Sequence, residues 1–170
     1  MVKLLAKALW RYNPERRSIG PATDAIILHH SLASGSLTGP RVRLSVIPEG
    51  AGEWCTIRGD GIISIESRLM LQTTLEELVY ATVAGMYDAG EDGYVDALDG
   101  TLSVAAPADV VIRFFTSAKD YLWLNKTQYV GTGERDFSSR TLALRVFDSR
   151  GLSSCQGSAY DRAIRGVSRP

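Results

Sequence analysis

Glu66 and Arg68 stand two residues apart in Ile62–Thr74, a stretch that reads as one long strand. Neighbours on a strand point to opposite faces, so residues two apart share a face. Ile65, Leu69 and Leu71 occupy the other one. A carboxylate beside a guanidinium places a proton donor or acceptor next to a cationic hydrogen-bond donor, which suits acid–base work on a small molecule. The pair has two readings: the solvated outer face of an antiparallel sheet, or the inside of a barrel, where the two charges must pair to offset desolvation. Arg113 interrupts Val110-Val111-Ile112 and Phe114-Phe115 and must itself find a partner or water. Glu66 is expected as the acid–base group, with Arg68 and Arg113 stabilising developing negative charge. Trp54, Tyr80, Tyr87, Trp123 and Tyr129 can supply flat apolar walls with polar edges. Of the polar and aromatic groups, Arg41, Trp54, Tyr80, Trp123 and Asn125 are expected to bind and orient an aromatic substrate.

Other chemistry finds less support. His29-His30 are the sole histidines, and on a strand at most one of them faces inward. No Cys/His cluster surrounds them, so no metal site is expected. Gly131-Thr132-Gly133 sits inside a strand pattern with no helix following, which favours a bulge over a phosphate loop. A hydrolase needs a Ser or Cys beside a base, for which Cys55 and His30 are a remote pairing. No dinucleotide fingerprint or P-loop is present, and no cofactor is expected.

Acidic and basic residues balance at 19 each, so no net field draws the chain to nucleic acid or to an anionic membrane. The same neutrality leaves a homodimer open. The N-terminal stretch carries Lys3 and Lys7 within its apolar residues and lacks the core of a secretory signal, and no run is long enough to span a membrane. Cys55 and Cys155 are far apart and are expected as reduced thiols of a cytoplasmic protein.

The elements that would position these groups are strands. Leu4–Tyr12 is read as the first, although its Ala, Leu and Lys content also permits a helix. Breaks follow at Asn13-Pro14 and Gly20-Pro21, then a short strand from Asp24 to His30 and a turn-rich link from Ser34 to Gly39. Arg41–Val46 alternates polar and apolar. Pro48–Gly52 is read as a loop and Trp54–Arg58 as the next strand. Asp60-Gly61 suits a type I′ turn, in which both central residues need φ > 0. Strands at Leu78–Tyr87, Asp109–Thr116, Gln128–Glu134 and Thr141–Phe147 follow, and Asp120–Lys126 is read as one helical turn, capped by Asp120, leading into a strand. No amphipathic helix of twelve or more residues is found. The 170 residues suit one domain over 1–150, all-β, closed into a single antiparallel barrel because closure removes exposed edges. Residues 151–170 are rich in Gly, Ser and Arg and are read as a peripheral extension, with a short helix at 159–165 as an option.

Gly39-Pro40-Arg41-Val42-Arg43, Gly52-Glu53-Trp54, Asp60-Gly61, Glu66-Ser67-Arg68 and Leu78-Val79-Tyr80 occur in that order. Tyr121-Leu122-Trp123-Leu124-Asn125-Lys126-Thr127 and Tyr129-Val130-Gly131-Thr132-Gly133 follow. In this series the chain resembles a domain-of-unknown-function family of small bacterial and fungal proteins. The resemblance spans residues 1–149. It implies a calycin-like barrel with a central cavity, and fungal members include enzymes that close rings in polyketides. Where the family often has arginines after the tyrosine, this chain has Thr82 and Ala84, which implies a less charged cavity and a neutral or phenolic ligand. The expected activity is a cofactor-free cyclase that adds a phenol or alcohol oxygen to an alkene or carbonyl of a polyketide-derived aromatic substrate. A non-catalytic barrel that carries a hydrophobic small molecule is the alternative.

Overall fold

A computed structural model describes residues 3–23 and 25–150. Eight antiparallel strands form a closed barrel: β1 (Leu4–Ala22), β2 (Ala25–Gly39), β3 (Val42–Arg58), β4 (Ile62–Gln72), β5 (Leu78–Asp88), β6 (Ala105–Thr116), β7 (Tyr129–Asp136) and β8 (Thr141–Asp148). Each strand pairs with the next, and β8 closes onto β1 through pairs such as Trp10 with Leu142 and Lys7 with Arg145. One helix, α1 (Gly93–Asp99), lies between β5 and β6, and a 3-10 helix, Lys119–Lys126, lies between β6 and β7. The all-β barrel read from the strand pattern is therefore the fold. No helix among the described residues is long and apolar enough to cross a membrane.

Period-2 alternation builds the wall. In β6, Ala106, Ala108, Val110, Ile112 and Phe114 point inward, and the residues between them point out. An eight-stranded barrel has an interior that side chains can fill, and here Ile, Leu and Val of β2 to β6 and β8 do so, joined by Ala6, Ala8, Trp10 and Tyr12 of β1 and Tyr129 of β7.

Several expected breaks lie inside strands. β1 runs through Asn13-Pro14 because the β1–β2 register shifts there: Tyr12 pairs with Leu32 and Arg16 with His30. A bulge leaves backbone groups outside the ladder, so a proline without an N–H is tolerated. Pro48–Gly52 is likewise a bulged part of β3, with Ile47 opposite Met70 and Gly52 opposite Arg68 on β4. Ser34–Gly39 belongs to β2, where Gly35 pairs with Trp10. The Gly131-Thr132-Gly133 bulge is not found, since β7 keeps an unbroken register with both neighbours. Its glycines instead permit close approach: a Cβ on Gly133 would lie 1.9 Å from the Ala143 carbonyl oxygen. Asp120 does not cap the 3-10 helix, which starts after Ala118 with no side-chain cap. The extension 151–170, with Cys155, lies outside the described residues.

The turn at Asp60-Gly61 is correctly placed but differs in type. Only Gly61 has positive φ, at +80°, and its N–H donates to the Arg58 carbonyl at 3.0 Å. That is the three-residue connection in which a turn is followed by a left-handed glycine, not the two-residue type I′ form. A Cβ at Gly61 would lie 1.7 Å from the Gly90 carbonyl oxygen, whereas one at Gly59 would meet none of the described residues within 4 Å. Gly61→Ala should therefore lower stability by about 2 kcal/mol or more, through strain and displacement of the Gly90 loop. Gly59→Ala should leave stability within about 0.5 kcal/mol of wild type. Urea denaturation midpoints measure both.

Candidate functional site

Inside the barrel the β3 alternation Ala51, Glu53, Cys55, Ile57 carries a carboxylate into the core, where Glu53 is 0% exposed. A buried carboxylate is costly unless its oxygens are satisfied, and four other strands supply partners. Tyr12 of β1 and Tyr87 of β5 each donate their hydroxyl to Oε2 at 2.7 Å. Ser67 of β4 donates to the same oxygen at 3.4 Å, and the Cys55 thiol donates to Oε1 at 3.4 Å. Arg135 of β7, 1% exposed, brings Nε to 3.7 Å from Oε1. Its guanidinium lies 3.9 Å from the Tyr12 ring centre and 4.5 Å from that of Phe137. One Arg135 amino group also donates to the carbonyls of Asp136 and Thr141, at 3.0 and 3.3 Å. Burial, followed by the charge of Glu53, pushes the Tyr12 and Tyr87 phenols and the Cys55 thiol well above their ordinary pKa values. All three stay protonated and act as donors.

A cavity of about 250 Å³ opens beside this cluster. Its walls include His30, Arg135, Phe137, Asn13, Arg16 and Arg140, with no carboxylate among the lining residues. His30 faces inward from β2, edge-on to Tyr12 and tilted toward Phe137. Its pKa is lowered to about 4, chiefly by burial; Glu53 opposes the shift, while Arg135, Arg16 and His29 add to it. At neutral pH the imidazole is therefore uncharged, and its Nε2 is buried with no hydrogen-bond partner among the described residues. A neutral proton acceptor beside a guanidinium, behind a basic mouth, can receive a proton from an acidic O–H and stabilise the anion left behind. His29 faces outward and stacks on Trp54 with ring centres 4.5 Å apart, so one histidine of the pair is inside and one outside.

The expected site residues lie elsewhere. Glu66 and Arg68 are on the outer face, with Ile65, Ser67 and Leu69 inside, so the solvated-face reading of that pair is the correct one. Arg113 is also outside, joined to Arg68 across the sheet by Thr82, which pairs with both. Trp54 is 50% exposed opposite Glu66, and Tyr80 is 37% exposed opposite Met70 and Phe115. Thr82 and Ala84 share this outer wall, so the expectation that they set the polarity of the cavity is corrected. Arg41 and Trp123 do come together, 4.7 Å apart, at the other end of the barrel. Asn125 hydrogen-bonds both the N–H and the carbonyl of Thr116, at 3.0 and 2.8 Å, and so ties the 3-10 helix to the end of β6. None of the eight expected site residues, nor Thr82 or Ala84, lines the His30 cavity. Among the described residues no three His, Cys, Asp or Glu side chains converge as a metal site would require.

A family model described as "Protein of unknown function (DUF3237)" matches residues 8–148. The chain belongs to this family. No curated protein matches the DUF3237 chain. Among solved structures, it resembles a conserved protein of unknown function from Rhodopseudomonas palustris, with TM-score 0.74 and 18% identity over 87% of this chain and 96% of that one. A beta-barrel like protein from Acinetobacter baumannii gives TM-score 0.71 and 20% identity over 87% and 94%. An enzyme from Penicillium herquei gives TM-score 0.59 and 20% identity over 86% and 93%. At these identities the likeness is one of fold.

Sequence reasoning on this DUF3237 chain missed Glu53, Tyr12, Ser67 and Arg135 as one cluster. Parity was the available signal: Glu53 shares its face with Cys55 and Ile57, and Tyr12 shares its face with Ala6, Ala8 and Trp10. Treating Pro48–Gly52 as a loop severed Glu53 from its strand, and the glycines before Arg135 hid the inner face of β7. Glu53→Gln removes one partner of a buried ion pair and should cost about 3–5 kcal/mol, whereas Glu66→Gln on the outer face should unfold like wild type; urea denaturation at pH 7 compares them. His30 supplies a second expectation. Its folded pKa of about 4 lies below an unfolded value near ~6.5. Between these limits the unfolded chain binds the extra proton, so stability falls as pH drops through this window, by up to about 3 kcal/mol from this group. The His30→Gln variant should lose that part of the slope when unfolding is followed from pH 7 to pH 4.

Proposed function

We propose that this protein is a cofactor-independent cyclase that closes an oxygen heterocycle in a polyketide-derived aromatic substrate, with the His30 cavity as its active site. The observation that carries this reading is a buried, uncharged imidazole beside Arg135 in a cavity lined by arginines and no acid. Two further points support it. A fold neighbour from Penicillium herquei is an enzyme, and the fungal members of the family that the sequence resembles include ring-closing enzymes.

In the proposed reaction His30 takes the proton of a substrate phenol. The oxygen attacks the β-carbon of a conjugated enone, a C–O bond forms as the C=C π bond breaks, and those π electrons move to the adjoining carbonyl as an enolate. Arg135 stabilises that oxyanion, and the imidazolium returns its proton to the α-carbon. The sum is an isomerisation, balanced without an external oxidant or reductant. The phenolate formed beside the ring offsets the burial that otherwise disfavours imidazolium. Phe137 gives the substrate a flat wall. Arg16 and Arg140 at the mouth attract acidic phenols. Glu53 does not touch substrate in this scheme; with Tyr12 it holds the Arg135 guanidinium in place. The free Cys55 thiol fits a cytoplasmic setting.

The test uses 2′-hydroxychalcone, which joins a phenol and an enone in one molecule and closes to flavanone without change of mass. The protein should accelerate closure and give one enantiomer in excess. His30→Gln should slow it by about 10²–10⁴-fold, and Glu66→Gln should not. Saturable binding with racemic product at the uncatalysed rate would replace the cyclase by a carrier of small aromatic molecules.

A further inference from the structure

The opposite end of the barrel holds a larger pocket, of about 430 Å³, framed by the start of β1, the β2–β3 turn, the 3-10 helix and the end of β8. That volume is in the range of small-molecule sites, commonly about 300–1,000 Å³. Among the described residues Lys3, Arg41 and Arg150 line it, against a single carboxylate, Asp148. Asp148 is engaged by Arg150, whose Nε donates to it at 3.0 and 3.2 Å. Among the described residues Lys3 and Arg41 have no carboxylate partner. Arg41 lies over the Trp123 ring, and the Trp123 indole N–H donates to the Asp120 carbonyl at 3.0 Å, which fixes the orientation of the ring. Leu4, Leu5 and Pro40 complete an apolar wall.

Tyr129 adds a further group at the same end. It begins β7 opposite Asp148, is fully buried, and its hydroxyl has no hydrogen-bond partner among the described residues. Burial, then Asp148, pushes its pKa up to about 12 against the opposing charges of Arg150 and Arg41. The phenol therefore remains a donor at neutral pH.

We propose that this end pocket is a second ligand site, separate from the His30 cavity, that binds a planar aromatic carboxylate with its ring against Trp123 and its anionic group between Arg41 and Lys3. The planar guanidinium matches a carboxylate in shape and charge, and the aromatic ring extends the stack that Arg41 and Trp123 have begun. The apolar share of the wall favours a monoanion with an aromatic body over a small, strongly hydrated anion. The site does not depend on the cyclase reading.

Titration calorimetry of the full 170-residue chain with 2-naphthoate, its neutral isostere 2-naphthamide, and acetate tests the proposal. The 2-naphthoate ion should bind at one site, with 2-naphthamide and acetate each at least about tenfold weaker. Arg41→Gln and Trp123→Leu should each weaken 2-naphthoate by about tenfold, and His30→Gln should leave its affinity unchanged. Arg41 is exposed, so its variant reports binding without threatening the core. In NMR spectra 2-naphthoate should move the Trp123 indole N–H signal and leave the His30 ring signals in place. Failure of 2-naphthoate to bind, equal affinity for the amide, or loss of affinity on His30→Gln with retention in Arg41→Gln would each overturn it.

Discussion

A carboxylate without solvent contact stands in the interior of this barrel, and five strands are organised around it. Glu53 comes from β3, its hydroxyl partners from β1, β4 and β5, and its cation from β7. Such a group is tolerable in a core only when donors and a countercharge surround it. Each partner must arrive from its own strand at the correct height, so the cluster constrains the register of more than half the wall. The apolar interior alone is less exacting, since a Leu or Val displaced by a residue pair still finds apolar neighbours.

The cluster also makes the two ends of the barrel chemically unlike. At one end Arg135, held by Glu53 and flanked by Tyr12 and Phe137, borders a small basic cavity in which His30 is uncharged. At the other end there is no buried ion pair among the described residues; Arg41 and Trp123 stack at the rim of a larger pocket with apolar walls. Both arrangements pair a cation with an aromatic surface. Only the first places a titratable base out of water, where its proton affinity depends on what occupies the cavity.

The outer wall explains why chemistry-bearing residue types can mislead. Trp54, Glu66, Arg68, Tyr80 and Arg113 carry the groups an active site uses, and they lie on neighbouring strands. They nevertheless occupy the face that meets water. The alternation that separates Glu66 and Arg68 from Ile65 and Leu69 was legible, but it left open which side of the wall faces the interior; the structure puts Ile65 and Leu69 inside and Glu66 and Arg68 outside. The same rule applied to Cys55 and Ile57 would have drawn Glu53 inward. A proline and two glycines in Pro48–Gly52 interrupted the apparent strand, and a bulge carries the chain through that interruption with parity intact on its far side.

The sequence by itself determined the all-β barrel character, the positions of most strands, the turn at Asp60-Gly61, the family, and the separation of His29 from His30 across one strand. These properties are local: they follow from period-2 alternation, turn residues and an ordered series of short motifs. The count of eight came from the structure, which joins Arg41–Val46 and Trp54–Arg58 into β3. Only the tertiary structure decided which residues meet. Tyr12 lies 41 residues from Glu53 along the chain, and Tyr87 lies 34 residues from it. Contacts at such separations depend on the sum of every bulge and register shift between them. Closure of β8 onto β1 then converts those shifts into a single interior, where Glu53, Arg135 and His30 are brought together and Glu66, Arg68 and Arg113 are left outside.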